Sequence, residues 1–189
     1  LKDACKVFES VSIKDDVLWS TMITGYVQCG NGLLALDLFE KMKKENQHPD
    51  KVIYSSLIKA CAIIGDVGKG RILQRNIISD GQEREEAICN SLIDMYSKCG
   101  ALKKAGEVFE YLPMQNVVSW SALISGYAQL GQINVVWNLY RRMRSEGVAP
   151  NFVTFTVMLN ACSHAGLVNE GEKLFNEMCV VYYLTPTLE

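Results

Sequence analysis

The sequence lacks the features that define several large classes of protein. It has only four prolines and fourteen glycines in 189 residues, and 49% of its residues are hydrophobic. So few turn-forming residues argue against a turn-dense β fold, and so apolar a chain is not a disordered tail. No apolar run approaches the roughly 18 residues that a membrane-spanning helix needs. We therefore expect a folded, helix-rich chain with no membrane partner.

Excess charge of either sign is also missing. Nineteen Lys and Arg residues face twenty-one Asp and Glu residues, which leaves a net charge of -2. This balance argues against binding of nucleic acid through a strongly positive surface. The seven cysteines are odd in number and form no C-x-x-C motif. We therefore expect no disulfide framework, and we expect the protein to work in a reducing compartment.

Catalytic and metal-binding motifs are absent as well. A zinc deaminase needs H-x-E together with P-C-x-x-C, and neither string occurs. His48 and His164 are the only histidines, and no phosphate-binding loop or G-x-S-x-G elbow is present. We expect no catalytic residue, no metal site, no cofactor and no enzymatic activity in this chain.

What the sequence does contain is an internal repeat. Residues 1–30 align without gaps on residues 102–131, so that Trp19 falls on Trp120 and Gly25 on Gly126. Five glycines divide the chain further, at spacings of 35, 35, 31 and 35 residues: Gly30, Gly65, Gly100, Gly131 and Gly166. The residue eleven before each glycine is Trp19, Tyr54, Cys89, Trp120 or Phe155, and the residue twelve after it is Met42, Ile77, Leu112, Met143 or Met178.

Each unit has the pattern of a helical hairpin. Trp19, Met22, Ile23 and Tyr26 form one helical stripe before Gly30, and Leu34, Leu38, Phe39 and Met42 form another after it. Glycine between two helices suits a left-handed cap and a tight turn. One hairpin cannot bury both stripes alone, so the units should stack into an all-α solenoid with one helix of each unit along a concave face.

The repeated strings resemble a known family. Residues 54–58 (YSSLI), 89–100 (CNSLIDMYSKCG) and 120–127 (WSALISGY) closely resemble pentatricopeptide repeats, and not the tetratricopeptide pattern, which has a Leu-Gly pair and a closing proline. The alternation of unit lengths, with residues 58–61 (IKAC) and 159–166 (LNACSHAG), is similar to the PLS subclass of land plants. The resemblance covers essentially the whole chain and implies a right-handed α-solenoid.

The resemblance also implies the unit boundaries. The predicted motifs are the end of an S motif (1–15), a P motif (16–50), an L motif (51–85), an S motif (86–116), a second P motif (117–151), a second L motif (152–187) and the start of the next motif (188–189). The chain begins with a sequence typical of the middle of a helix, and we expect it to be a piece of a longer protein.

Similar proteins bind single-stranded RNA with about one base per repeat. In the family, the second residue of each motif stacks against the bases, and the fifth and last residues select the base. The stacking positions here are Val17, Val52, Ala87, Val118 and Val153. The selecting pairs are Ser20 with Asp50, Ser55 with Glu85, Asn90 with Asn116, Ser121 with Asn151 and Thr156 with Thr187, and Asp15 closes a motif whose fifth residue is absent.

These pairs predict a target sequence. By the same resemblance, Ser20 with Asp50 prefers G, Ser121 with Asn151 prefers A, and Asn90 with Asn116 prefers C or U. The two pairs in the L motifs are weakly selective, and Asp15 allows G or U. The target read 5′ to 3′ is then (G/U)-G-N-(C/U)-A-N. Without the resemblance, the valines would be packing residues at helix starts and the polar residues would be a solvated face or turns.

Two functions follow as hypotheses. The resemblance implies an RNA-binding array that positions a mitochondrial or chloroplast transcript for C-to-U editing, with editing-factor proteins as partners on the L motifs. The alternative is a helical-repeat scaffold for protein–protein interactions. Because no polar capping repeat is visible at either end, self-association through the ends is a further expectation.

Overall fold

The computed structural model describes residues 2–11 and 14–185, with side chains from Lys6 onwards. The prediction of an all-α fold is confirmed, since these residues form eleven helices and no strand. The helices are α1 (Lys2–Ser10), α2 (Asp16–Gln28), α3 (Gly32–Lys44), α4 (Lys51–Ile64), α5 (Val67–Ser79), α6 (Glu86–Lys98), α7 (Leu102–Tyr111), α8 (Val117–Gln129), α9 (Ile133–Ser145), α10 (Phe152–His164) and α11 (Val168–Val180).

The five repeated glycines end the first helix of each hairpin. All five adopt the left-handed conformation, with φ between 67° and 75°. At the first of them, the Gly30 amide donates to the Val27 carbonyl (3.0 Å) and the Asn31 amide donates to the Tyr26 carbonyl (2.8 Å). This pair of bonds is a Schellman motif, which satisfies carbonyls that the helix end would leave free. The predicted glycine caps are therefore confirmed.

The core lies between the two helices of each hairpin and between neighbouring hairpins. Every residue eleven before or twelve after a repeated glycine is buried. One detail of the predicted stripes is wrong: Leu34 is 48% exposed, and Ala35 is buried in its place. The helical stripe predicts Leu34 in the core because leucine is apolar. At the start of α3, however, the residue that faces the core is the next one, Ala35.

The two helices of each hairpin belong to different layers. The first helices, α2, α4, α6, α8 and α10, pack directly side by side in that order. Within the described ranges, consecutive second helices do not pack on each other and instead contact the first helices on either side. Long side chains bridge the outer layer at two places, where Arg142 pairs with Glu110 (2.5 Å) and Arg144 pairs with Glu177 (2.8 Å). The closely packed first helices therefore form the inner layer.

Aromatic pairs join successive units. A ring on one second helix meets the edge or face of a ring on the next first helix at Phe8–Trp19, Phe39–Tyr54, Phe109–Trp120 and Tyr140–Phe155, with centroids 4.6–6.2 Å apart. Cys89 occupies the equivalent place in α6, where a cavity of about 330 Å³ replaces the missing ring. Edge-to-face pairs of this kind add specific geometry to apolar burial between successive units.

Candidate nucleic-acid interface

A continuous groove of about 750 Å³ runs across the inner layer, over α4, α6, α8 and α10. Eight of the sequence-predicted site residues line it: Val52, Ser55, Ala87, Asn90, Val118, Ser121, Asn151 and Val153. Seven others are not part of its wall: Asp15, Val17, Ser20, Asp50, Glu85, Asn116 and Thr156. Thr187 lies outside the described residues. The groove thus brings together the second positions of α4, α6, α8 and α10 and the fifth positions of α4, α6 and α8.

The valines at the second position are exposed although they are apolar. Val17 is 72% exposed and Val52, Val118 and Val153 are 49–55% exposed. Each is the second residue of its helix, on the side that faces the groove or continues it. Packing in the core therefore does not account for these valines. They form a row of rigid apolar side chains along the groove and its continuation.

The last residue of four units caps the next first helix. Asp15 accepts from the Leu18 amide (2.8 Å) and Asp50 from the Ile53 amide (2.8 Å). Asn116 and Asn151 form full capping boxes with the residue three positions later. Sequence reasoning missed this role, although Asp or Asn before a helix with Ser or Thr at the third position is the usual signal. Glu85 makes no such side-chain bond at the start of α6.

Capping determines which atom of each last residue remains available. The cap uses Oδ1, so an aspartate keeps Oδ2, a pure acceptor, while an asparagine keeps Nδ2, a donor of two hydrogens. The helix amides can only donate, so they hold each asparagine with its oxygen towards the helix. Asp50 and Asn151 therefore present opposite hydrogen-bonding groups at equivalent positions of the two P motifs.

Ser121 and Asn151 are joined through a third residue. The Ser121 hydroxyl lies 2.8 Å from the Thr154 hydroxyl, which lies 3.0 Å from Asn151 Oδ1. Thr154 is fully buried and Ser121 is 6% exposed, so the network is shielded from water. The fifth and last residues of the unit 117–151 are thus held in one arrangement. Thr154 was not among the predicted site residues, although its place in the capping box was readable.

The remaining fifth residues differ in their bonding. Ser20 and Ser55 are half-buried and make no hydrogen bond to another described residue. Thr156 donates to the Phe152 carbonyl of its own helix (2.9 Å). Asn90 Oδ1 is buried without a hydrogen-bond partner. An unpaired buried carbonyl costs free energy, so Asn90 is a group for which a ligand could supply the missing donor.

The inner layer is electrically balanced. Its five first helices contain three basic residues and three acidic ones: Lys51, Lys59, Lys98, Asp16, Glu86 and Asp94. Lys98 is held in an ion pair with Asp94 (2.7 Å), while Lys51 and Lys59 line the groove. A surface of this kind presents apolar side chains and hydrogen-bonding groups without a strong positive field.

Other kinds of site are not found within the described part of the chain. No group of three or more His, Cys, Asp or Glu residues there could hold a metal ion. Among the same residues, no helix is long and apolar enough to cross a membrane.

Comparisons with solved structures identify the architecture. The fold is similar to PPR10 in complex with an 18-nt psaJ RNA element, with a TM-score of 0.83, 23% identity, and coverage of 98% of this chain and 28% of that one. It is also similar to the PPR domain of Arabidopsis thaliana protein-only RNase P 1 in complex with tRNA, with a TM-score of 0.70, 13% identity, and coverage of 91% and 93%. At these identities the two structures show the fold alone, and they confirm a solenoid of stacked repeats.

Sequence comparisons point to the same group of proteins. The whole chain is similar to the Arabidopsis thaliana pentatricopeptide repeat-containing proteins At1g06140, mitochondrial (34% identity, 34% of its length) and At1g08070, chloroplastic (36% identity, 26% of its length). The chain thus spans about a third or less of the length of these relatives. The model of the PPR repeat family matches residues 14–63 and 115–164, and that of the PPR repeat matches residues 87–117 and 153–180. The chain therefore belongs to the pentatricopeptide repeat family.

Proposed function

We propose that this chain binds single-stranded RNA along the inner groove, with one base at each repeat. The observation that carries the proposal is that the second-position residues of four successive units and the fifth-position residues of three of them line one continuous groove. Two structural neighbours, one in complex with an RNA element and one in complex with tRNA, support RNA as the ligand. Single-stranded RNA suits this surface because its unstacked bases expose their faces and edges to side chains.

The exposed valines supply the stacking surfaces in this proposal. A base enters between the second residues of two successive units, and its apolar faces cover side chains that water now surrounds. Ala87 offers less contact area than Val52 or Val118 on either side of it. The base bound next to Ala87 therefore gains less from stacking and depends more on its hydrogen bonds.

The capping residues supply the edge recognition. Asp50 Oδ2 accepts hydrogen bonds, which matches the imino N–H of G, and Asn151 Nδ2 donates them, which matches the ring nitrogen of A. The proposed target remains 5′-(G/U)-G-N-(C/U)-A-N-3′. Because the inner layer has no net charge, phosphate contacts are few, and the logarithm of the binding constant should fall only slowly with the logarithm of salt concentration.

One substitution tests the assignment of bases directly. Asn151→Asp replaces the donating amide by an accepting carboxylate while the Oδ1 cap is kept, so preference at the fifth base should shift from A to G. A good base contact contributes about 1–3 kcal/mol of discrimination, so the A:G affinity ratio should change at least tenfold. Fluorescence anisotropy with two RNAs that differ at this base measures it. Equal affinities for A and G in both proteins would refute the assignment, and Asn138→Asp, at an exposed position of the outer helix α9, is the matched control for added charge.

The biological role we propose is to hold an organellar transcript for C-to-U editing. Relatives named as mitochondrial and as chloroplastic support an organellar location. With neither deaminase motif in the sequence, the chain acts by binding, and the chemistry belongs to another domain or protein. Sequencing organellar transcripts from plants with and without the protein tests this role. Loss of editing next to a match of the proposed target is the expected result, and unchanged editing throughout would contradict it.

A protein-interaction role is the alternative, and one observation favours it. On the outer layer, Ile72 and Ile78 of the L motif 51–85 are 53% and 52% exposed, and at the last hairpin Val168, Phe175 and Val180 are 43–68% exposed. The first pair would suit an editing-factor partner, and the second group would suit self-association. Light scattering over a concentration series tests self-association, and a constant monomer mass would exclude it.

A further inference from the structure

Glu86 bonds to a residue that selects a base. It is the first residue of α6, and its carboxylate accepts a hydrogen bond from Asn116 Nδ2. The opposite end of the Asn116 side chain is held by the next helix, where Oδ1 accepts from the Val118 amide (2.9 Å) and the Ser119 amide (3.0 Å). The amide of Asn116 is therefore fixed at both ends, and its orientation is determined.

This contact is specific to the unit 86–116. The first residues of the other units are Asp16, Lys51, Val117 and Phe152. Among the described residues, Asp16, Lys51 and Val117 do not bond to the last residues of their own units, and the last residue of the unit that begins at Phe152 lies outside the described range. Val117, for example, has no polar side-chain atom, so Asn151 Nδ2 keeps both hydrogens for a ligand.

The pair of Asn116 and Glu86 presents two different groups side by side. Asn116 Nδ2 has two hydrogens, of which one is donated to Glu86 and the other is available. The Glu86 carboxylate only accepts, and its second oxygen has no hydrogen-bond partner among the described residues. A base that approaches Asn116 therefore meets a donor with an acceptor next to it.

Cytosine and uracil differ in how well they complement this pair of hydrogen-bonding groups. Cytosine has an acceptor at N3 beside the donating N4 amino group, so it complements the donor and the acceptor together. Uracil in the same position, with N3 facing the amide, has a donating N3–H beside the acceptor O4, so it would place a donor against the amide and an oxygen against the carboxylate. The pair of asparagines, Asn90 and Asn116, does not by itself separate the two pyrimidines.

We propose that Glu86 is a specificity-determining residue that makes the unit 86–116 select cytidine over uridine. The proposal rests on the proposed function, because it assigns one base of the same RNA target. It changes the target from (G/U)-G-N-(C/U)-A-N to (G/U)-G-N-C-A-N. Glu86 is exposed, so its side chain can be replaced without opening the core.

Two variants of Glu86 test the proposal with the 189-residue chain. Affinities are measured for two RNAs that differ only in C or U at the fourth base. The unmodified chain should prefer C by about fivefold or more, which is the lower end for one good base contact. Glu86→Ala should reduce the preference below about twofold. Glu86→Gln should also remove the preference, because Nε2 would donate to O4 of uracil and no longer accept from N4 of cytosine, while Asn116 Nδ2 still donates to N3 of cytosine.

The loss of preference in Glu86→Gln, which keeps the size of the side chain and its ability to accept from Asn116, is the result that a merely structural role would not produce. A preference for C that is unchanged in both variants, or no preference in the unmodified chain, would overturn the inference. The choice of A over G at the unit 117–151 is measured in the same proteins as an internal control. If that choice is also absent from the unmodified chain, the proposed function fails as well; if it is present, only the role of Glu86 fails.

Discussion

Gly126 is the position where a single methyl group should have the clearest effect on the packed inner layer. It lies in the middle of α8, and a Cβ atom built on it would be 2.6 Å from Ser97 Cβ and 2.8 Å from Leu102 Cδ2. Carbon atoms pack at about 3.5–4.0 Å, so α6 and α8 would have to separate by about 1 Å. Gly25, at the aligned position of α2, has no atom within 4 Å of the same hypothetical Cβ.

The expected magnitudes follow from two opposing effects. Alanine in a helix is more favourable than glycine by about 0.8–1 kcal/mol, which applies to both positions. Overpacking costs about 1–3 kcal/mol and applies only to Gly126. Gly25→Ala should therefore raise the free energy of unfolding by about 1 kcal/mol, and Gly126→Ala should lower it by up to about 2 kcal/mol.

Urea unfolding followed by circular dichroism measures both effects. Gly126→Ala should also weaken RNA binding, because α8 holds Ser121 and Val118 in the groove. A rescue is available in the double variant Ser97→Gly/Gly126→Ala, which removes the nearest obstructing atom and should recover at least about 1 kcal/mol of coupling. If Gly126→Ala were as stable as Gly25→Ala, the close approach of α6 and α8 would be refuted.

Two further predictions concern stability. Asn46 has a positive φ of 55° where the aligned residue Gly147 has 79°, so Asn46→Gly should stabilise by about 0.5 kcal/mol and Gly147→Asn should destabilise by a similar amount in thermal unfolding. Equal and unchanged melting temperatures would contradict this. Burial and, to a lesser degree, the Asp66 carboxylate raise the pKa of the Cys61 thiol to about 11, above its ordinary value of 9.0. The folded state disfavours the thiolate, so the neutral thiol contributes to the free energy of unfolding. This contribution to stability is fully present below pH 9 and is lost as pH rises towards 11, at up to about 1.4 kcal/mol per pH unit. Cys61→Ala in reducing buffer should flatten that alkaline decline in urea midpoints, and an unchanged slope would refute the assignment.

Much of the fold could be predicted because the signals are local and repeated. A glycine every 31–35 residues, with apolar residues at constant distances on both sides, is readable from the chain alone and predicts the hairpins. The left-handed glycine conformation needs only the local backbone, so the caps were predictable too. Leu34 was misassigned because periodicity gives the face of a helix only to within about one residue at its end.

The candidate site was predictable in part. Its second and fifth positions could be named, because a repeat places equivalent residues on the same face of equivalent helices. The role of Asn116 and Asn151 as helix caps could have been predicted from the sequence, but the repeat pattern led only to their assignment as base-selecting residues. Glu86 had none, since its partner Asn116 is thirty residues away and only the packing of α6 beside α8 brings them together.

The sequence by itself determined the hairpins, their turns and the identity of the residues on each face, since these depend on period and local conformation. Only the tertiary structure decided which side-chain atoms remain available to a ligand. It joined Ser121 to the Asn151 cap through Thr154, and it placed a carboxylate beside Asn116. These contacts join residues of neighbouring helices, and their geometry depends on the distance and rotation between units. Those two quantities are set by core packing, which a single repeat does not contain.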